Sequence, residues 1–255
     1  MFKFAFTVVF FIVISAIAEE EEAWTGKYFP GPNDPLVNLY DKKHGIKMGI
    51  PNSACDDGES RLDVDYDGSP MNFTCFDNRA LYAPNYNVHP ILEHEAIPKG
   101  YNAHHLCMDN VIRYKHKIPT FGSHRPLWAK FGEYTFLPKQ RWLHNLEHGA
   151  VTMLYHPCAD KNEVRAMKRV VKSCLYKHVI SSNSDLTPDR PLGLVAWGHR
   201  LTMSVFDLTL TVKFIRDYAL NGPESTSKNG KYSLNLVEHA QLVSDKHDSV
   251  LCPYN

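Results

Sequence analysis

Two short apolar runs and the segment between them carry the clearest pattern in this chain. Residues 150–155 and 192–197 are almost continuously apolar, which is typical of strands buried on both faces. Between them, from Val164 to His178, apolar side chains recur at steps of three and four residues, while lysine and arginine occupy the other positions. This order predicts a strand, a helix and a second strand, joined as one βαβ unit.

Further helical patterns follow towards the C-terminus. Residues 207–220 are amphipathic and end at Asn221-Gly222, a typical helix stop. Residues 234–243 show a short helical pattern in an otherwise polar region. We therefore expect an α+β fold: a small mixed sheet with the strand–helix–strand unit and a second packed helix, stabilised by disulfide bonds.

The N-terminus has the pattern of an export signal. Lys3 precedes an apolar run over residues 4–14, and small residues suited to cleavage come next. No later stretch reaches the roughly 18 apolar residues of a membrane span, so no transmembrane segment is expected after signal cleavage. We predict a secreted, extracellular protein, divided into a signal peptide (1–18), an extended N-terminal arm (19–57) and a single secreted domain (58–255).

Six cysteines on an exported chain indicate disulfide bonds. The sequence alone does not fix their pairing, and one or more thiols being free and buried is an open alternative. Asn72-Phe-Thr74 is the one glycosylation sequon and predicts an exposed, glycosylated loop. For the disulfide bonds, we expect cysteines that are close in sequence to pair first. This predicts Cys55 with Cys75 and Cys158 with Cys174, and it leaves Cys107 to pair with Cys252.

The charge distribution argues against one class of partner. The chain has 28 Lys and Arg against 28 Asp and Glu, so its formal net charge is zero. These cations are spread out rather than gathered in a stripe, which argues against a nucleic-acid partner. The sequence identifies no other partner.

Reactive side chains are densest between residues 119 and 149. His144 and His148 are four residues apart, which places both rings on one helix face, where two imidazole nitrogens can hold one metal ion. Glu147 can ligate the metal, orient a ligating ring, or act as a catalytic base. His124 supplies a third histidine from a predicted loop. We therefore predict a copper or zinc site with His124, His144 and His148 as ligands and Glu147 as the catalytic candidate.

Two other interpretations of these histidines stay open. They can simply donate hydrogen bonds to backbone carbonyls inside an aromatic-rich core. His144, Glu147 and His148 also match the His-x-x-Glu-His motif of one metalloprotease class, with Glu224 as a conceivable further ligand. However, that mechanism needs a helix that continues, and Gly149 and a predicted strand follow at once.

Several histidines outside this segment have weaker patterns. His104, His105 and His116 lack helical spacing, and we interpret them as surface or hydrogen-bonded residues. His199 and Met203 are candidate copper ligands because a histidine and methionine set suits that metal. Buried methionine is more commonly a core residue.

Several long motifs together resemble one known family, that of tumour protein p53-inducible protein 13, whose members share a domain of unknown function also found in bacteria. The similarity covers residues 118–220 and implies a growth-suppressive role but no particular reaction. Its histidine and glutamate positions fall on His124, His144, Glu147 and His148, whereas other residue types occur in the family at the position of His199, which argues against His199 as a ligand. The motifs are Ile118-Pro-Thr-Phe-Gly-Ser-His-Arg-Pro-Leu-Trp128, Trp142-Leu-His-Asn-Leu-Glu-His-Gly149, Leu154-Tyr-His-Pro-Cys158 and Ala196-Trp-Gly198.

Three functional hypotheses follow from these observations. The first is a secreted protein whose His/Glu cluster binds a divalent metal without catalysis. The second is a metal-dependent hydrolase or oxidase in which Glu147 acts as base on a metal-activated water. The third is an extracellular interaction module without metal. A closed ligand shell favours the first hypothesis, and an open coordination position beside a pocket favours the second.

Overall fold

The computed structural model describes residues 40–255. The predicted signal peptide and residues 19–39 of the predicted arm lie outside the described residues. Residues 40–57 of that arm form a small hairpin, Tyr40–Asp41 (β1) with Gly45–Ile46 (β2), and the buried Met48 follows it.

Seven strands and three helices make up the main body of residues 40–255. Asp160 caps the second helix by accepting from the backbone N–H groups of Asn162 and Glu163, and Asp207 caps the third. The helices are Lys139–Glu147 (α1), Lys161–Cys174 (α2) and Leu208–Tyr218 (α3), and the strands are Ile91–His94 (β3), Gly132–Phe136 (β4), Val151–Tyr155 (β5), His178–Ser182 (β6), Leu192–Ala196 (β7), His199–Met203 (β8) and Leu236–His239 (β9).

The seven strands form one mixed sheet in the order β3-β8-β7-β5-β6-β4-β9. Strand β6 runs parallel to both β5 and β4, and every other neighbouring pair is antiparallel. The predicted α+β class with a mixed sheet and a second packed helix is confirmed.

Both faces of the sheet are covered, which explains the continuous apolar runs. Met153 and Leu194 point into one apolar core, shared with α2 and α3. Their neighbours Leu154 and Val195 point into a second core, shared with α1 on the opposite face. Successive side chains of a strand alternate between faces, so only a strand buried on both sides needs apolar residues at every position.

The βαβ unit is present, but its second strand is a different one. Strand β5 pairs parallel with β6, whereas β7, the predicted partner, pairs antiparallel with β5. The three- and four-residue steps suggest a helix up to His178, yet α2 ends at Cys174. The Asp248 carboxylate accepts hydrogen bonds from the backbone N–H groups of Tyr176 and Lys177, which holds this segment in an extended course.

The predicted disulfide pairing is wrong at all three bridges. Each real bridge joins distant parts of the chain, over separations of 52, 83 and 78 residues. Loop-closure entropy rises only slowly with loop length, so closeness in sequence is a weak guide to pairing. No cysteine among the described residues is free. The bridges are Cys55–Cys107, Cys75–Cys158 and Cys174–Cys252.

The helical pattern over residues 234–243 is wrong, because this segment supplies β9, an exposed edge strand paired with β4. The sequon residue Asn72 lies half-buried in a 3₁₀ turn, Pro70–Asn72. Every helix within residues 40–255 is too short or too polar to cross a bilayer.

Candidate metal centre

The C-terminal turn of α1 carries three of the four predicted site residues. His144 and Glu147 are on the helix, and His148 is its C-cap. The two histidine rings lie 4.8 Å apart between centroids, as their spacing predicts. Gly149 then turns the chain with φ +84°, and β5 begins two residues later. The predicted short helix that leads into a buried strand is confirmed, and the continuing helix of the metalloprotease motif does not form.

A loop segment brings two more histidines to this helix. His105 and His124 form an isolated parallel bridge, with backbone hydrogen bonds from Leu106 N to His124 O and from His124 N to His104 O. Their rings lie 4.7 and 4.4 Å from the ring of His144, respectively. His105 is thus a member of the cluster that sequence reasoning missed, because nothing in its local spacing connects it to a helix 39 positions away.

Four side chains come together closely enough to hold one metal ion. One ligand atom from each of His105, His124, His144 and Glu147 lies within 4.8 Å of the others. The His124 Nε2 atom is 3.1 Å from the Glu147 carboxylate, and the His105 Nε2 atom is 3.8 Å from it. Two ligands on a tetrahedral ion at about 2.0–2.2 Å are separated by about 3.3–3.6 Å, so the cluster has the right scale. His148 borders this group without being one of the four.

The same atom of each ring in this cluster, and of the flanking His148, is engaged by the backbone. Each Nδ1 lies 2.6–2.9 Å from a carbonyl oxygen, which can only accept, so each Nδ1 carries the hydrogen. The Nε2 atom of a neutral ring is then left with its lone pair, the state required for metal binding. The accepting carbonyls belong to Ile46 for His105, Gly122 for His124, Arg125 for His144 and Glu224 for His148.

The cluster is closed to solvent. His105, His124, His144 and Glu147 are each 1% exposed or less. Within residues 40–255, the buried Nε2 atoms of His105 and His148 have no hydrogen-bond partner. A buried polar atom without a partner costs about 1–3 kcal/mol, so these two Nε2 atoms, one in the cluster and one beside it, are available to bind a further group.

Burial lowers the pKa values of His105, His144 and His148. Burial lowers the pKa of His148 to about 4, and burial together with the neighbouring histidines lowers the pKa of His144 well below its usual value. Burial also lowers the pKa of His105. Burial on its own would raise the pKa of Glu147, but the neighbouring histidines, with His124 foremost, lower it well below its usual value. Imidazole nitrogens beside a carboxylate form a set of donors for a cation.

Glu224 and His44 form a polar pair next to His148. The His148 Nδ1 donates to the backbone oxygen of Glu224, while the Glu224 carboxylate lies 3.0 Å from His44 Nε2. His44 Nδ1 also lies 3.0 Å from Asp41. Burial would raise the pKa of Glu224, but its hydrogen bonds with His44 and Lys43 lower that pKa to about 2. Glu224, the conceivable third protease ligand, is therefore paired with side chains outside the cluster.

The weaker candidates lie elsewhere. His199 Nε2 is 3.0 Å from His94 Nδ1, across the β3–β8 pair, and Met203 is fully buried in the apolar core beneath α2 and α3. A second group, Asp77, His156 and Cys158, also has metal-ligand spacing. Its cysteine is in a disulfide, so it offers no thiolate.

The region that holds the cluster matches a family model described as Protein of unknown function (DUF3105), over residues 105–231. That region begins at His105 and includes all four side chains of the cluster. No curated protein and no solved structure matches the chain. The narrower resemblance to the tumour protein p53-inducible protein 13 family is supported by none of these findings.

Proposed function

We propose that this chain is an exported protein in which His105, His124, His144 and Glu147 bind one divalent transition-metal ion, zinc or copper, as a closed, non-catalytic centre. Imidazole nitrogens suit both metals. His148 is assigned a flanking position, since its ring borders that of His144 but it is not one of the four residues whose ligand atoms lie close together. A metal bound in the folded state only would stabilise the domain in proportion to its affinity and concentration.

The common arrangement of the rings carries this proposal. Backbone carbonyls engage Nδ1 of every ring, so lone pairs on Nε2 converge on one small buried volume with a carboxylate. Metal-binding histidines usually donate their other ring N–H in this way. A hydrogen-bonded core without metal is disfavoured, because it leaves the Nε2 atom of His105 unsatisfied.

Burial favours a closed centre over an enzyme. A hydrolase or oxidase that uses Glu147 as base needs room for water and substrate beside the metal. The Glu147 side chain is 2% exposed, and it is already 3.1 Å from His124 Nε2. The carboxylate is thus better placed as a ligand than as a base.

Three predictions from the sequence belong to the same proposal. Three disulfides are consistent with an extracellular protein, and with them we propose secretion through the N-terminal signal. Glycosylation at Asn72 is proposed on the sequon and on its partial exposure. Membership of the tumour protein p53-inducible protein 13 family is proposed on the sequence motifs alone.

Metal content of the purified secreted protein tests the function. We expect about one zinc or copper ion per chain by elemental mass spectrometry, and loss of that ion in His144→Gln. The matched control is His178→Gln. His178 is equally buried and likewise engages a carbonyl through Nδ1, but it lies on β6, away from the cluster.

Each outcome of this measurement decides between hypotheses. Metal in wild type and in His178→Gln, but not in His144→Gln, supports the centre. A folded wild type that takes up neither ion after dialysis against both contradicts it and favours the interaction module. Measuring His148→Gln beside these variants separates the flanking ring from the four ligands.

A further inference from the structure

A sulfur atom lies against the cluster and has no role in the ligand set above. Met48 follows β2 and is 1% exposed, and its Sδ is 3.3 Å from His144 Nε2. Because His144 Nδ1 is engaged by the Arg125 carbonyl, the Nε2 of the neutral ring offers only a lone pair, and a thioether likewise offers only lone pairs. The contact between the Met48 sulfur and the His144 Nε2 atom, both of which carry only lone pairs, is explained when both atoms face one shared cation.

The backbone around Met48 is attached to the cluster at three points. The carbonyl of Ile46 accepts from His105 Nδ1, and the carbonyl of His44 accepts from the backbone N–H of His105. On the other side, Gly49 N donates to the Pro126 carbonyl, next to the residue whose carbonyl engages His144. The position of the sulfur is therefore fixed by the same hydrogen bonds that orient the rings.

We propose that the Met48 thioether is an additional ligand and that it makes the centre select copper(I) over zinc. Thioether sulfur is a soft donor that favours copper(I), whereas imidazole serves zinc and copper alike. Two donors on one ion lie about 3.3–3.8 Å apart, which the Sδ–Nε2 distance matches. This inference rests on the proposed metal centre, adds a ligand to it, and replaces the divalent ion of that proposal with monovalent copper(I).

Competition titrations of the full secreted chain test the proposal. Copper(I), kept reduced under anaerobic conditions, is titrated against bicinchoninate, and zinc is titrated against a chromophoric chelator. Met48→Leu keeps the volume and removes the sulfur. We expect its Kd for copper(I) to rise about 10- to 100-fold, while its Kd for zinc changes less than about 3-fold. Met153→Leu is the matched control, because Met153 is equally buried but lies in the apolar core beneath α2.

The outcomes separate this inference from the function on which it rests. An unchanged copper(I) affinity in Met48→Leu, with metal still lost in His144→Gln, overturns the inference and leaves the metal centre intact. A wild type that binds neither ion overturns both. X-ray absorption at the copper edge of the wild type is a measurement independent of any variant. A sulfur neighbour is expected there, and a spectrum with nitrogen and oxygen neighbours only contradicts the proposal.

Discussion

Gly222 packs against the end of the helix that carries Glu147, so closely that no side chain fits. A Cβ atom at this position would lie 2.2 Å from the carbonyl oxygen of Glu147 and 2.5 Å from the backbone nitrogen of Gly149. Ordinary contact begins at 3.4 Å. Because both atoms belong to the backbone, Gly222→Ala must displace the chain on one side of this contact by about 1 Å, a distance that rotamer changes cannot supply.

The displacement acts on two hydrogen bonds that tie residue 224 to the cluster. Glu224 N donates to the Glu147 carbonyl at 3.1 Å, and His148 Nδ1 donates to the Glu224 carbonyl at 2.8 Å. Losing both costs about 1–3 kcal/mol, and overpacking adds about 1–3 kcal/mol. The free energy of unfolding should therefore fall by about 2–6 kcal/mol. At about 2–4 °C per kcal/mol for a chain of this size, Tm should drop by at least about 4 °C.

Thermal and urea unfolding followed by circular dichroism measures this change. Both proteins are stripped of metal with a chelator, so that linked binding does not contribute. Gly193→Ala is the matched control, because a Cβ there would first meet Leu186 Cδ2 at 3.4 Å. We expect that control to stay within about 1 kcal/mol of wild type. If Gly222→Ala unfolds at the wild-type temperature, the close packing of residue 222 on the helix end is refuted.

Two further predictions concern buried charge. Asp56→Ala leaves the guanidinium of Arg141 without the carboxylate that it contacts at 2.5 and 2.9 Å. Both side chains are 1% exposed, so the free energy of unfolding, measured in urea, should fall by about 3–5 kcal/mol. The exposed Asp189→Ala should change stability by less than about 0.5 kcal/mol, and similar losses in both variants would contradict the importance of the pair. Burial lowers the pKa of His178 from 6.5 to about 4, so the neutral ring contributes about 3 kcal/mol above pH 6.5, and this contribution is lost as the pH falls towards 4. His178→Gln should flatten the stability profile between these pH values in metal-free protein, and an unchanged slope would show that the shift is absent.

The parts of the site that are local in sequence were predictable. His144, Glu147 and His148 sit within one helical turn, so a spacing of three and four residues is enough to place them together. The adjoining apolar run predicts β5 because a strand buried on both faces needs apolar side chains throughout. These patterns depend on the geometry of a single element.

The remaining parts depend on contacts between distant segments. His105 joins the cluster through a bridge to His124, and Met48 joins it through a hairpin held to His105. Neither contact leaves a periodic pattern in the sequence. The predicted end of α2 is wrong for a similar reason. The Asp248 carboxylate, 74 positions after Cys174, binds the backbone just beyond the helix and determines where the helix ends. Long-range partners of this kind override local preference.

The burial of the four donors has a consequence for the lifetime of the ion that we propose they bind. Each donor is 1% exposed or less, so exchange of the ion requires the surrounding side chains and backbone to part. The exchange rate would then follow local opening of the domain rather than diffusion through solvent. An ion acquired while the chain folds, in the compartment where its disulfides form, would be retained long afterwards. The identity of the retained ion would then depend on which metal ions are present where the chain folds.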